Sequence, residues 1–220
     1  MGGVGVMVVP VLNRYDLLFR LVNSIDYRVD HLVVVDNGGM ICDRHIPPNL
    51  HVGRLTVWRM PSNLGVGPSW NLSIKATPWA DGWLLVNSDV ELPGGFLEAF
   101  MGEVGPGVVV RTAQDWACVW VGWKVVEQVG LFSECFVPAY CEDNDYEWRC
   151  RLAGVEVRRS ELSVRHQGSA SIMSDERLFD GNQHSFPHNV ALFHKRVDNG
   201  MSEAGVWSLQ RRRELGWDRP

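Results

Sequence analysis

Three polar stretches follow apolar runs in this 220-residue chain: Pro10-Val11-Leu12-Asn13, Asp36-Asn37-Gly38-Gly39 and Asn87-Ser88-Asp89. Any tight turn needs Asn, Asp and Gly, so each stretch alone is unspecific. Together they place carboxylates and amides at matching ends of successive elements. A second acidic group, Glu142-Asp143-Asn144-Asp145, opens a segment that carries Arg149 and closes on Ala153-Gly154. Carboxylates there can cap a helix N-terminus, where the macrodipole favours negative charge, or accept a proton as a general base. Asp145 and Arg149 have the i, i+4 spacing of an ion pair along a helix, and we assign them to structure. His166, between Arg165 and Gln167-Gly168, has the side chain either to satisfy a strand end or to bind a metal.

These residues need a scaffold. Val4 to Val9, His31 to Val35 and Trp83 to Val86 are short apolar runs of the kind found in parallel strands buried on both faces. Leu17, Leu18, Leu21, Val22 and Ile25 recur at helical spacing between the first two, and Trp70, Ile74 and Thr77 do so more weakly before the third. Strand alternating with helix predicts an α/β fold with a mostly parallel central sheet flanked by helices. Further strands are expected at Leu55 to Trp58, Val108 to Arg111, Trp116 to Val121, Val155 to Val157 and Leu162 to Val164. Helices are expected at Lys124 to Val129, stopped by Gly130, and at Glu142 to Ala153, stopped by Gly154. The expected organisation is one domain over residues 1–173 and a helical C-terminal extension over 174–220 packed on it. In an open parallel sheet, ligands bind beyond the carboxyl ends of the strands, where the polar stretches fall.

Composition narrows the function. Twenty-one Lys and Arg against 26 Asp and Glu leave a net charge of −5, which excludes nucleic acid as an expected main partner. The longest apolar run, Val4 to Leu12, is broken by Gly5 and Pro10 and is far short of the ~20 residues of a spanning helix. The five cysteines lack a metal-ligand spacing, so reduced thiols in a cytoplasm are expected. Gly2-Gly3-Val4-Gly5 precedes the first strand instead of following it, which argues against a dinucleotide fold, and no P-loop motif occurs. The Asn71-Leu72-Ser73 sequon is taken as chance, and Arg211 to Arg213 as a solvated helix face.

In order, Val8-Val9-Pro10-Val11-Leu12-Asn13-Arg14, Val33-Val34-Val35-Asp36-Asn37-Gly38, Asn63-Leu64-Gly65-Val66-Gly67 and Leu84-Leu85-Val86-Asn87-Ser88-Asp89 span the first part of the chain. Val129-Gly130-Leu131-Phe132, Glu142-Asp143-Asn144-Asp145 with Arg149, Ala153-Gly154, and His166-Gln167-Gly168 follow. This series resembles the inverting glycosyltransferases of family 2 with the GT-A fold, and within them the rhamnosyltransferase-like branch. Asn87-Ser88-Asp89 resembles that family's D-x-D motif with Asn in the first position. Asn189 to Lys195 resembles its late helix.

The resemblance implies roles. Asp143 would be the general base, and Asp89 and His166 would ligate a divalent cation, Mn²⁺ in preference to Mg²⁺ because imidazole nitrogen suits it better. Pro10, Asn13, Asp36, Asn63, Gly65, Asn87 and Ser88 would line a nucleotide, Asp36 accepting a hydrogen bond from the imide that uracil and thymine share. Glu142, Asp145 and Arg149 would support the acceptor side or the structure. Trp70 stands where many relatives carry Arg or a small polar residue, and it fits a core or a stacking role equally. The implied activity is metal-dependent inverting transfer of one sugar from a UDP or dTDP donor to a hydroxyl of a glycan, protein or small molecule. The alternative is a catalytically silent nucleotide or sugar binding module with the same fold.

Overall fold

The computed structural model describes residues 2–41, 45–113, 115–137, 139–200 and 209. Cys42 and Arg211 to Arg213 lie outside the described residues. The chain runs β1 (Val4–Val11), α1 (Tyr15–Asn23), β2 (Val29–Asp36), β3 (Val52–Arg59), α2 (Val66–Ala76), β4 (Gly82–Val86), β5 (Val90–Glu91) and α3 (Phe96–Met101). It continues through β6 (Val108–Arg111), β7 (Cys118–Gly122), α4 (Trp123–Val129), α5 (Glu142–Leu152), β8 (Glu156–Arg159), β9 (Arg165–His166), α6 (Ala170–Met173) and α7 (Glu176–Asp198).

A seven-stranded sheet has the order β3-β2-β1-β4-β7-β6-β8. β1, β2, β3 and β4 are parallel, while β7 runs antiparallel to both β4 and β6. The apolar runs are continuous because alternate residues feed two cores. Met7 and Val9 of β1, with Leu32 and Val34 of β2, pack in the core that contains α1 and α3. Val6 and Val8, with Val33 and Val35, pack in the core of α2, α4 and α5. Pro10 cannot donate to a ladder, and it falls where β1 has already parted from β4, whose pairing stops at Val8↔Leu85.

Three expected strands are displaced. The one placed at Leu162 to Val164 forms instead at Arg165–His166, where it pairs with β5, a strand too short to show a period of its own. The strand at Trp116 to Val121 begins at Cys118, and that at Val155 to Val157 is Glu156–Arg159. Beyond Ser174 the described chain is helical, as α7. Asp175 caps that helix by accepting from the backbone N–H groups of Arg177 and Leu178. Among the described residues the cysteines Cys118, Cys135, Cys141 and Cys150 are free, and no helix is long and apolar enough to cross a membrane.

Candidate active site

A cavity of about 390 Å³ opens at the carboxyl ends of β1 and β4. Its walls include Pro10, Asn37, Asn63, Gly65, Asn87, Ser88, Asp89, Asp115, Glu142, Asp143 and His166. The topology explains the convergence. Because β7 is antiparallel, the loop before it lies at the same edge as the ends of the parallel strands, and this brings Asp115 to the cavity.

Asp89 and His166 meet through the smaller sheet. β5 and β9 pair with Val90 opposite His166 and Glu91 opposite Arg165, and Arg165 also bridges to Glu91 at 2.9 Å. The Gln167 N–H donates to the Asp89 carbonyl at 3.2 Å. His166 Nε2 then stands 3.2 Å from Asp89 Oδ1, and Nδ1 stands 3.3 Å from Asp115 Oδ2. Nε2 is buried without an aligned hydrogen-bond partner. The two carboxylates, Asp115 first, push the imidazole up to about 9.

One carboxylate oxygen and one imidazole nitrogen, 3.2 Å apart on a cavity wall, suit a divalent cation that takes its remaining ligands from water and phosphate. Among the described residues no group of three or more His, Cys, Asp and Glu side chains could hold a metal ion by itself. A shared site of this kind fits Asp89 and His166.

Across the cavity, Asp143 sits in the first turn of α5. Burial raises its carboxyl above the usual range, with the charges of Asp115 and Glu147 adding to the effect against the backbone N–H bonds it accepts. Glu142 is buried, its Oε2 has no partner, and burial followed by the charge of Asp143 pushes it up to about 8. The turn leading into this helix is held in an unusual backbone: Tyr140 and Cys141 have φ of 74° and 76°. Asn189 of α7 fastens it, its side-chain amide donating to the Ala139 carbonyl at 2.9 Å. Below, Asp145 pairs with Arg149 at 2.8 Å as the spacing predicts, and also with Arg196 of α7 at 2.8 Å. Arg149 further donates to the carbonyls of Val129 and Leu131.

Two residues expected at the nucleotide are not on the cavity wall. Asp36 is fully buried, and its carboxylate accepts four hydrogen bonds. It accepts from Tyr15 Oη at 2.8 Å and from the backbone N–H groups of Gly38, Gly39 and Ile41 at 3.2, 3.0 and 2.7 Å. In this structure these bonds hold the turn that follows β2. Gly38 is required there, since a Cβ would lie 1.9 Å from the Leu12 carbonyl oxygen. Asn13 points to α6, donating to the Ser171 carbonyl at 3.0 Å.

The other expected residues do reach the cavity. Asn63 accepts from the Gly65 N–H at 2.9 Å, and Gly65 takes φ 87° at the start of α2. Asn37, which was not singled out, accepts from the Leu64 N–H and donates to Ser69 Oγ, tying β2 to α2 beside the cavity. Trp70 is 2 % exposed and packs on Phe132, so its bulk is core even though one edge reaches the wall. Asn71, the sequon residue, is buried and binds Phe132 and Glu134, which supports reading the sequon as chance. Asp115 was missed because no motif marks it. An antiparallel reading of the strand that follows would have put it at the active edge.

No family model and no curated protein matches the chain. Solved structures do match in fold. Glucosyl-3-phosphoglycerate synthase from Mycobacterium tuberculosis, in complex with phosphoglyceric acid, superposes with a TM-score of 0.60 at 16% identity, covering 93% of this chain and 83% of that one. The catalytic domain of Drosophila β1,4-galactosyltransferase 7, with xylobiose, gives 0.53 at 13%, covering 74% and 66%. S. aureus TarS in complex with UDP-GlcNAc gives 0.55 at 15%, covering 76% and 61%. The chain therefore spans slightly less than two thirds of the length of these last two. It has the GT-A fold of these glycosyltransferases.

Proposed function

We propose that the chain is a divalent-cation-dependent, inverting glycosyltransferase of the rhamnosyltransferase-like branch of family 2. It moves one hexosyl or deoxyhexosyl unit from a UDP or dTDP donor to a hydroxyl of a glycan, protein or small molecule. The observation that carries this is the convergence on one cavity of Asp89 and His166 on one wall and Asp143, with its raised carboxyl, on another. The free thiols among the described residues accord with a cytoplasmic setting, and residues 174–220 would form the helical extension. Mn²⁺ accompanies UDP in another structure of the synthase and UDP-Gal in another of the galactosyltransferase named above.

In this reading Asn63, Gly65, Asn87 and Ser88 line the nucleotide and Pro10 closes its floor. Asp89 and His166 would hold the cation, Mn²⁺ in preference to Mg²⁺, which supplies positive charge to the donor diphosphate when bound. The acceptor oxygen attacks the anomeric carbon, its proton passes to the Asp143 carboxylate, and the bond from that carbon to the β-phosphate oxygen breaks, its electron pair leaving with the nucleoside diphosphate. Holding that carboxyl above its usual range makes Asp143 a stronger base for the transfer.

The test is Asp143→Asn. It should leave Mn²⁺-dependent UDP binding intact and lower transfer by about 10²- to 10⁴-fold. Equal transfer by the variant would remove Asp143 as the base. A wild-type chain that binds UDP with Mn²⁺ yet transfers no sugar across a panel of donors and acceptors would instead be the silent binding module.

A further inference from the structure

Asp115 is held more tightly than a loop residue requires. The Ala117 N–H donates to its Oδ1 at 2.7 Å, and Thr112 Oγ1 donates to its backbone carbonyl at 3.1 Å. Both the main chain and the carboxylate are fixed before any ligand arrives. The remaining oxygen, Oδ2, stands 3.3 Å from His166 Nδ1. The two ring nitrogens diverge, so the oxygens of Asp115 and Asp89 lie on opposite sides of the imidazole. An imidazole that ligates a cation through one nitrogen needs its other N–H taken up by an acceptor, which fixes both the tautomer and the ring plane.

We propose that Asp115 is a positioning residue for the cation site: it takes the Nδ1–H of His166 and so presents Nε2 beside Asp89. This rests on the reading of Asp89 and His166 as cation ligands given above. Asp115 is not itself a ligand, because one of its oxygens is committed to the backbone of its own loop and the other to the side of the ring turned away from Asp89. Its contribution is orientation.

The experiment is a double-mutant cycle read by Mn²⁺ binding, with free Mn²⁺ followed by electron paramagnetic resonance in the presence of UDP. The proteins are the wild type, Asp115→Ala, His166→Ala and the double variant. Asp115→Ala should weaken Mn²⁺ binding by roughly 10- to 100-fold. If Asp115 acts through His166, the double variant binds no more weakly than His166→Ala alone. Thermal melting checks that each variant is folded. Asp115→Asn, whose amide oxygen can keep the Ala117 N–H, turns its NH₂ to Nδ1 and favours the Nε2–H tautomer, so it should weaken Mn²⁺ binding at least as much as the alanine variant and serves if that variant does not fold. The proposal is overturned if Asp115→Ala binds Mn²⁺ like the wild type while His166→Ala does not, or if the double variant loses a further, additive factor. Absence of Mn²⁺ binding by the wild type, or binding unaffected by His166→Ala, would overturn the cation-ligand reading itself.

Discussion

Glu142 and Asp143 are neighbours in sequence with different surroundings, and pH separates them. Glu142 is held protonated up to about 8, first by burial and then by the charge of Asp143. Its unfolded counterpart ionises near the ordinary carboxylate value. Between those two pH values the folded chain holds a proton that the unfolded chain has released, so stability falls as pH rises through that window and levels off above it. Denaturant unfolding of the wild type and Glu142→Gln from pH 5 to 9 should show the variant gaining on the wild type across the window, by on the order of a few kcal/mol at the top. Parallel curves would show that Glu142 is ionised in the fold. Asp36 makes a second case. Its alanine variant strands the N–H groups of Gly38, Gly39 and Ile41 together with Tyr15 Oη, and should lose about 3 kcal/mol in thermal or denaturant unfolding. Its type and position were legible in the sequence, but its direction was not. Four donors on the turn side decide that, and one of them arrives from a different helix, α1.

At the scale of elements, α5 and α7 are joined by a buried charge cluster. Asp145 is fully buried, and Arg149 and Arg196 approach its two oxygens from opposite helices. Arg196→Met leaves Asp145 paired with Arg149 but removes the charged hydrogen bond to its Oδ1, so it should cost roughly 1.5–3 kcal/mol, measurable as a drop in denaturation midpoint. Because Asn189 on the same helix holds the turn before Glu142, Asn189→Ala should lower kcat with little change in Mn²⁺-dependent UDP affinity, measured by kinetics and calorimetry side by side. The Asp145 and Arg149 pair was readable from their spacing, since one helical turn is a local geometry. Arg196 was not readable, because nothing near it in sequence specifies a partner 51 residues away. The parallel strands were legible for a similar reason: burial on both faces writes an apolar run into the sequence. Two-residue strands leave no such mark, and so the pairing of β5 with β9 emerged only from the fold.

For the whole molecule, the cluster implies that α7 is not a detachable appendage. A chain truncated before α7 loses Arg196 and Asn189 together, and it should lack transfer activity and melt at a lower temperature, whereas the full chain should unfold in one calorimetric transition. Two resolved transitions in the full chain would mean that α7 folds apart from the sheet. The small sheet that seats His166 beside Asp89 carries a different consequence, one of timing during synthesis. Arg165 and Glu91 are 74 residues apart in the chain, and at about 5–20 residues per second a ribosome needs several seconds to cover that distance. A nascent chain stalled between Asp89 and Arg165 has its first four strands and Asp89 but not yet His166. If Asp89 and His166 hold a cation as proposed, that ability arrives late in translation, after the first four strands have been made.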